Sequence, residues 1–145
     1  MLRMIRLAVP ALLLLPLALF AQDEPPPLDL AEIDELVEQI EKGSRDERRA
    51  AIDSLLGRKD ERINGIVLDL LKEKKQKEEI IQDILRGIGL NKVEAGYEPA
   101  LEMIAHKKPL VRSFAAVCLE RLEKGEAKKD LLKRIGKERG TGRPS

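Results

Sequence analysis

An all-α fold follows from three features of the chain: 37% of its 145 residues are charged, only 2% are aromatic, and its apolar residues recur at helical spacing. So many charges suit long, solvent-covered helices, whereas a β-sandwich or barrel draws more heavily on aromatic side chains. The third feature is punctuation. Asp29 with Glu32 and Ser44 with Glu47 each set a capping oxygen three residues ahead of a carboxylate, the spacing that satisfies free amides at a helix start.

Taken in order, the first helix follows Asp29, with the stripe Leu30, Ile33, Leu36, Val37 and Ile40, and ends at Lys42-Gly43. The second follows Ser44, with Ala51, Ile52, Leu55 and Leu56, and ends at Gly57. A third follows Asp60 with Ile63, Ile66, Val67, Leu70 and Leu71, the spacing of a helix buried on one side. Asn64-Gly65 weakens its first turn. The fourth carries Ile80, Ile81, Ile84, Leu85 and Ile88, with Gly87 and Gly89 expected at its end. After a linker with room for one helical turn, a fifth is expected near Pro99, using Leu101, Ile104 and Ala105. A sixth begins at Pro109 with Val111, Phe114, Ala115, Cys118, Leu119 and Leu122. The seventh and shortest uses Ala127, Leu131, Leu132 and Ile135.

Ahead of these helices, residues 1–21 have a basic start at Arg3 and Arg6, an apolar run from Leu7 to Phe20, and Ala21 before polar Gln22. This is the layout of a secretory signal, and the run is too short and too interrupted by Pro10 and Pro16 to read as a membrane span. Export by the general secretion route and cleavage after Ala21 are expected, with a periplasmic or extracellular product and no stable membrane insertion after processing. Residues 22–28 form a proline-rich spacer, 29–136 the helical domain, and 137–145, with no apolar side chain beyond a proline, a disordered tail. A lone cysteine cannot form an internal disulfide, so packing must supply the stability. Cys118, within the run Phe114 to Leu119, reads as a small buried hydrophobe.

The helices also repeat. Arg48, Ala51 and Leu55 recur 64 residues later as Arg112, Ala115 and Leu119. A middle copy, 30 residues after the first, places Glu78, Ile81 and Leu85 there, and Gly87 matches Gly57. In the helices that follow, Leu70 aligns with Leu101 and Leu131. Three hairpins preceded by one capping helix are expected, with Leu119 at the packed centre of the last hairpin.

Val111-Arg112-x-x-Ala115-Ala116-x-x-Leu119, followed by Leu131-Leu132, resembles the HEAT repeat, in the short bacterial form also seen in phycobilisome lyase-like proteins. Glu78 departs from the arginine of the other two copies, and Lys108 stands near where the family often has aspartate. The resemblance implies a short right-handed α-solenoid of about three hairpins, with the second helix of each hairpin lining the concave, partner-binding side.

No phosphate loop, nucleophile elbow or zinc-binding HExxH helix is present. One cysteine and one histidine fall short of a Cys/His metal set. Neither catalysis, a metal nor a cofactor is expected. The expected function is recognition of a protein partner through the second-helix face, whose residues opposite the buried stripes are Leu68 and Lys72, Met103 and His106, and Lys129 and Lys133. Leu68 and Met103 are the more informative, because apolar side chains facing away from a core mark a contact surface. His106 stands at a helix end, where the helix dipole favours a positive charge. With its signal removed the chain holds 25 basic and 26 acidic residues, so no global charge for nucleic acid exists. Two other functions are kept open. One is a bilin lyase or lyase-helper role implied by the relatives named above; the other is polyanion or envelope binding through residues 121–145, which hold nine bases and four acids.

Overall fold

The computed structural model describes residues 26–122 together with residues 129, 133 and 136. Among the described residues every regular element is a helix: α1 (Leu30–Lys42), α2 (Arg45–Leu56), α3 (Glu61–Lys72), α4 (Glu78–Leu90), a 3-10 turn (Glu94–Gly96), α5 (Tyr97–Met103) and α6 (Pro109–Leu122). Lys129, Lys133 and Gly136 are also helical. The signal, the start of the spacer, the seventh apolar stripe and the tail lie outside the described residues.

Both expected capping boxes form. Glu32 N–H donates to Asp29 Oδ1 at 2.8 Å and Asp29 N–H to Glu32 Oε2 at 3.0 Å. Ser44 and Glu47 repeat the exchange at α2, and the Ser44 backbone N–H, with its hydroxyl, holds the Glu47 carboxyl below the usual carboxylate range. Asp60 caps α3 through the Arg62 N–H, while α4 starts without a side-chain cap.

Three boundaries and the faces of α1 and α3 differ from the sequence reading, the α3 difference being taken up with Leu68 below. Helix α4 does not stop at Gly87 but continues through Gly89 to Leu90. Both glycines are there for packing: a Cβ on Gly87 would meet Ile52 Cγ2 of α2 at 2.4 Å, and one on Gly89 would meet Cys118 Cα of α6 at 3.3 Å. Helix α5 starts at Tyr97 rather than near Pro99, and it ends at Met103, which leaves Ala105 exposed in the following turn. Leu30 leaves its own stripe. It is 80% exposed on the first turn of α1, over an open groove that Leu28, Ile63 and Ile66 also line.

Helix α1 packs on α2, α2 on α3 and α4, α4 on α6, and α3 and α6 both meet α5. The contacts also set direction. Arg48 meets Asp83, Ile52 and Leu56 meet Gly87, and Asp53 meets Asn91, so α2 and α4 run parallel. Gly89 lies on Cys118, and Lys92 donates to the Arg121 carbonyl, so α6 runs the same way. Each repeat position is filled alike: Ala51, Ile81 and Ala115 are buried, as are Leu55, Leu85 and Leu119. Each such leucine contributes about 1.5–3 kcal/mol relative to exposure, and together they weld the three helices into one layer.

Arginine marks the same recurrence. Arg48 Nε donates to the Ile40 carbonyl at 3.2 Å, and Arg112 Nη1 donates to the His106 carbonyl at 2.8 Å. Both satisfy carbonyls at or just past the end of the preceding helix. Lys59 and Lys92, each just past the end of a first-layer helix, both take left-handed backbone, φ 55° and 53°.

Candidate functional site

The six residues expected on the second-helix face do not form one surface. Leu68 is the correction that matters: it is 7% exposed and belongs to the core. The buried residues of α3 are Ile63, Val67, Leu68, Leu70 and Leu71, whereas Ile66 is only half-buried. Because α2, α4 and α5 all press on α3, its apolar arc is rotated past Val67 to take in Leu68. Met103 is half-buried and packs against the core.

The polar members are scattered. Lys72 is exposed at the end of α3. His106 is half-buried in the turn after α5, where its Nδ1 accepts the Lys108 N–H at 3.1 Å and its carbonyl accepts from Arg112. The ring thus braces the α5–α6 connection. Lys129 and Lys133 are exposed one helical turn apart.

A better-formed surface lies between α4 and α6. Leu85, Leu90, Phe114, Val117 and Cys118 line an open groove of about 360 Å³, with Arg86 and Arg121 at its edges. Two of its apolar members reach solvent, Leu90 at 47% and Val117 at 45% exposed. Arg86 is oriented by Asp53 of α2, with Nη1 3.6 Å from Oδ2. The close approach at Gly89 sets the width of the groove floor, because any side chain there would push α6 away.

Burial pushes the Cys118 thiol up to about 12, against a weaker opposing pull from Arg121. A thiol held protonated at neutral pH is a poor nucleophile, so the groove floor is apolar in chemistry as well as in shape. Among the described residues, no three His, Cys, Asp or Glu side chains converge as a metal set. No described helix is long and apolar enough to cross a membrane.

The groove had a signal in the sequence. Val117 and Leu90 both lie off their helix stripes, the same criterion that selects Leu68 and Met103. Val117 is hidden inside the apolar run Phe114 to Leu119, which reads as continuous core. No protein-family model matches the chain, and no curated protein matches it.

Proposed function

We propose that the chain is an exported, non-catalytic helical-repeat adaptor, a short HEAT-like α-solenoid of about three hairpins capped by α1, that binds a protein partner. The parallel run of α2, α4 and α6 and the shared burial of Leu55, Leu85 and Leu119 support the repeat reading. The partner surface in this proposal is the α4–α6 groove, with Leu68 withdrawn because it is core.

A single observation carries the binding reading: Leu90 and Val117 leave nearly half their surface in water along one groove between two parallel helices. Such a trough fits the apolar side of a third helix. Arg121 beside the groove favours an acidic amphipathic helix over a basic one, because a matching cation would face like charge, while Arg86 is already paired with Asp53.

The test is Leu90→Glu with Val117→Glu. Both side chains are already half in water, so unfolding stability should move by less than about 1 kcal/mol. Association with the partner captured from the native host should fall by more than about tenfold, because the added carboxylates must be desolvated. Unchanged association in the folded double variant would overturn the groove assignment.

A further inference from the structure

We propose that the end of the helix layer bearing the α1–α2, α3–α4 and α5–α6 connections docks on an anionic lipid surface. The contacts along the parallel helices set these connections level. Residue 48 lies beside residue 83, and Gly89 lies beside Cys118. Counting back along each helix brings Ser44 level with Glu79 and Lys77 level with His106, so three separate loops share one end.

That end is rich in exposed cations. Lys74, Lys75 and Lys77 stand on the second connection and Lys107 and Lys108 on the third, with Arg45 and Lys72 on the helix turns beside the first and second, all exposed. None of them forms an ion pair among the described residues. Lys42 is tied to Glu38 and is left out of the count. The α3–α4 loop has a fixed shape, because Gln76 Nε2 donates to the Leu70 carbonyl at 2.8 Å while its Oε1 accepts the Lys77 N–H. Lys74 and Lys75 are thereby presented at its tip.

Acids are present at the same end and keep their charge, but all except Glu73 sit on the helices rather than the loops. Glu47 caps Ser44, Glu73 accepts from Gln76, and Glu78 accepts from Gln82. Asp46, Glu47, Glu73, Glu79 and Glu102 are exposed counter-charges, and Glu41 and Glu78 are half-buried. Five lysines, Lys74, Lys75, Lys77, Lys107 and Lys108, stand on the loops against one loop acid, Glu73, while Glu41, Asp46, Glu47, Glu78, Glu79 and Glu102 lie on the helices behind them.

What selects lipid over a soluble polyanion is Leu110. It is 57% exposed in the first turn of α6, directly after Lys107, Lys108 and exposed Pro109. A lone polyanion offers nothing to an apolar side chain, whereas a bilayer interface takes the leucine below the headgroups while the lysines meet phosphate. The proposed docking is peripheral, through the loops and Leu110. This surface does not share residues with the α4–α6 groove.

The experiment is co-sedimentation of residues 22–145 with vesicles of phosphatidylglycerol and phosphatidylcholine against phosphatidylcholine alone. Binding should require phosphatidylglycerol and weaken as salt rises. Each lysine near such a surface is worth about fivefold in partition, so Lys74→Ala with Lys75→Ala should lose about 25-fold while the helical signal is retained. The chain has no tryptophan, so Leu110→Trp supplies a unique reporter whose emission should shift to the blue on vesicle binding. Equal binding to both vesicle types would overturn the proposal. So would a vesicle-bound Leu110→Trp variant whose indole emission stays unshifted, or binding to soluble heparin as tight as to vesicles.

Discussion

Arg48 reaches from α2 to Asp83 on α4, its Nη1 3.1 Å from Oδ2, while Arg49 Nε meets the other carboxylate oxygen at 2.8 Å. Asp83 is 3% exposed and is the buried acid of the core. Since Arg48 also holds the Ile40 carbonyl, one guanidinium ties α1, α2 and α4 together. The pair fixes the register of two parallel helices that apolar packing alone would let slide.

Removing either side of this pair should cost different amounts. Asp83→Ala loses two charge-assisted hydrogen bonds, while Arg49, the more exposed of the two arginines, can turn to solvent and Arg48 keeps the Ile40 carbonyl, for about 1.5–3 kcal/mol. Arg48→Ala with Arg49→Ala strands a buried carboxylate, for about 3–5 kcal/mol. Urea unfolding measures both, and a double-arginine variant more stable than Asp83→Ala would contradict the assigned roles.

Two glycine substitutions should have opposite signs. At Gly87 an alanine Cβ would sit 2.4 Å from Ile52 Cγ2, and Ile52 is fully buried with nowhere to go. The overpacking of about 1–3 kcal/mol outweighs the helix-propensity gain of about 1 kcal/mol. At Gly65 nothing lies within 4 Å, so alanine should stabilise α3 by about 0.5–1 kcal/mol. Thermal unfolding of the two variants gives the signs, and a stabilising Gly87→Ala would mean that α2 and α4 are not in close contact.

Leu68→Ala and Leu119→Ala should behave alike. Both side chains are core, at 7% and 3% exposure, so each truncation should cost about 2–5 kcal/mol. Leu68→Glu should abolish folding by burying a charge. A Leu68→Ala loss under about 0.5 kcal/mol would return that residue to the surface.

Helix existence is legible in the sequence because caps and apolar spacing are local. Asp29-Glu32 and Ser44-Glu47 write the starts of α1 and α2, and the triplet Arg48, Ala51 and Leu55 writes a recurrence whose buried positions the structure reproduces. What fails is set by distant neighbours. Gly87 and Gly89 resemble helix terminators unless α2 and α6 are known to press on them. Glu78 hides a cross-helix arginine–aspartate contact, because the acid that receives Arg48 is Asp83, five residues further along. Leu68 is misplaced for a similar reason: a helix touched from three sides buries a wider arc than its stripe suggests. For the site, Leu68 fails because it is core, whereas Leu90 and Val117, the exposed apolar residues of the proposed groove, also lie off their stripes.

Cys118 should be inert to alkylating reagents in the folded protein and modified only on unfolding. Its thiol is pushed from an ordinary 9.0 to about 12 by burial. Between these values the unfolded chain has released a proton that the folded chain retains. Stability is therefore unaffected below about pH 9 and falls as pH rises above it, by up to about 1.4 kcal/mol per pH unit. Urea unfolding above and below that pH, compared with Cys118→Ala, isolates the contribution. Equal alkaline loss in both proteins would show that the thiol does not carry it.

The most direct test of the adaptor reading is site-specific photocross-linking in the native host, with a benzophenone amino acid placed at Val117 in the α4–α6 groove or at exposed Lys72. Cross-linking from position 117 to one identified partner protein, with none from position 72, is the predicted result. Adducts from position 72 alone would return the contact to the second-helix face, and no adduct from either position would contradict a partner-binding function on these surfaces.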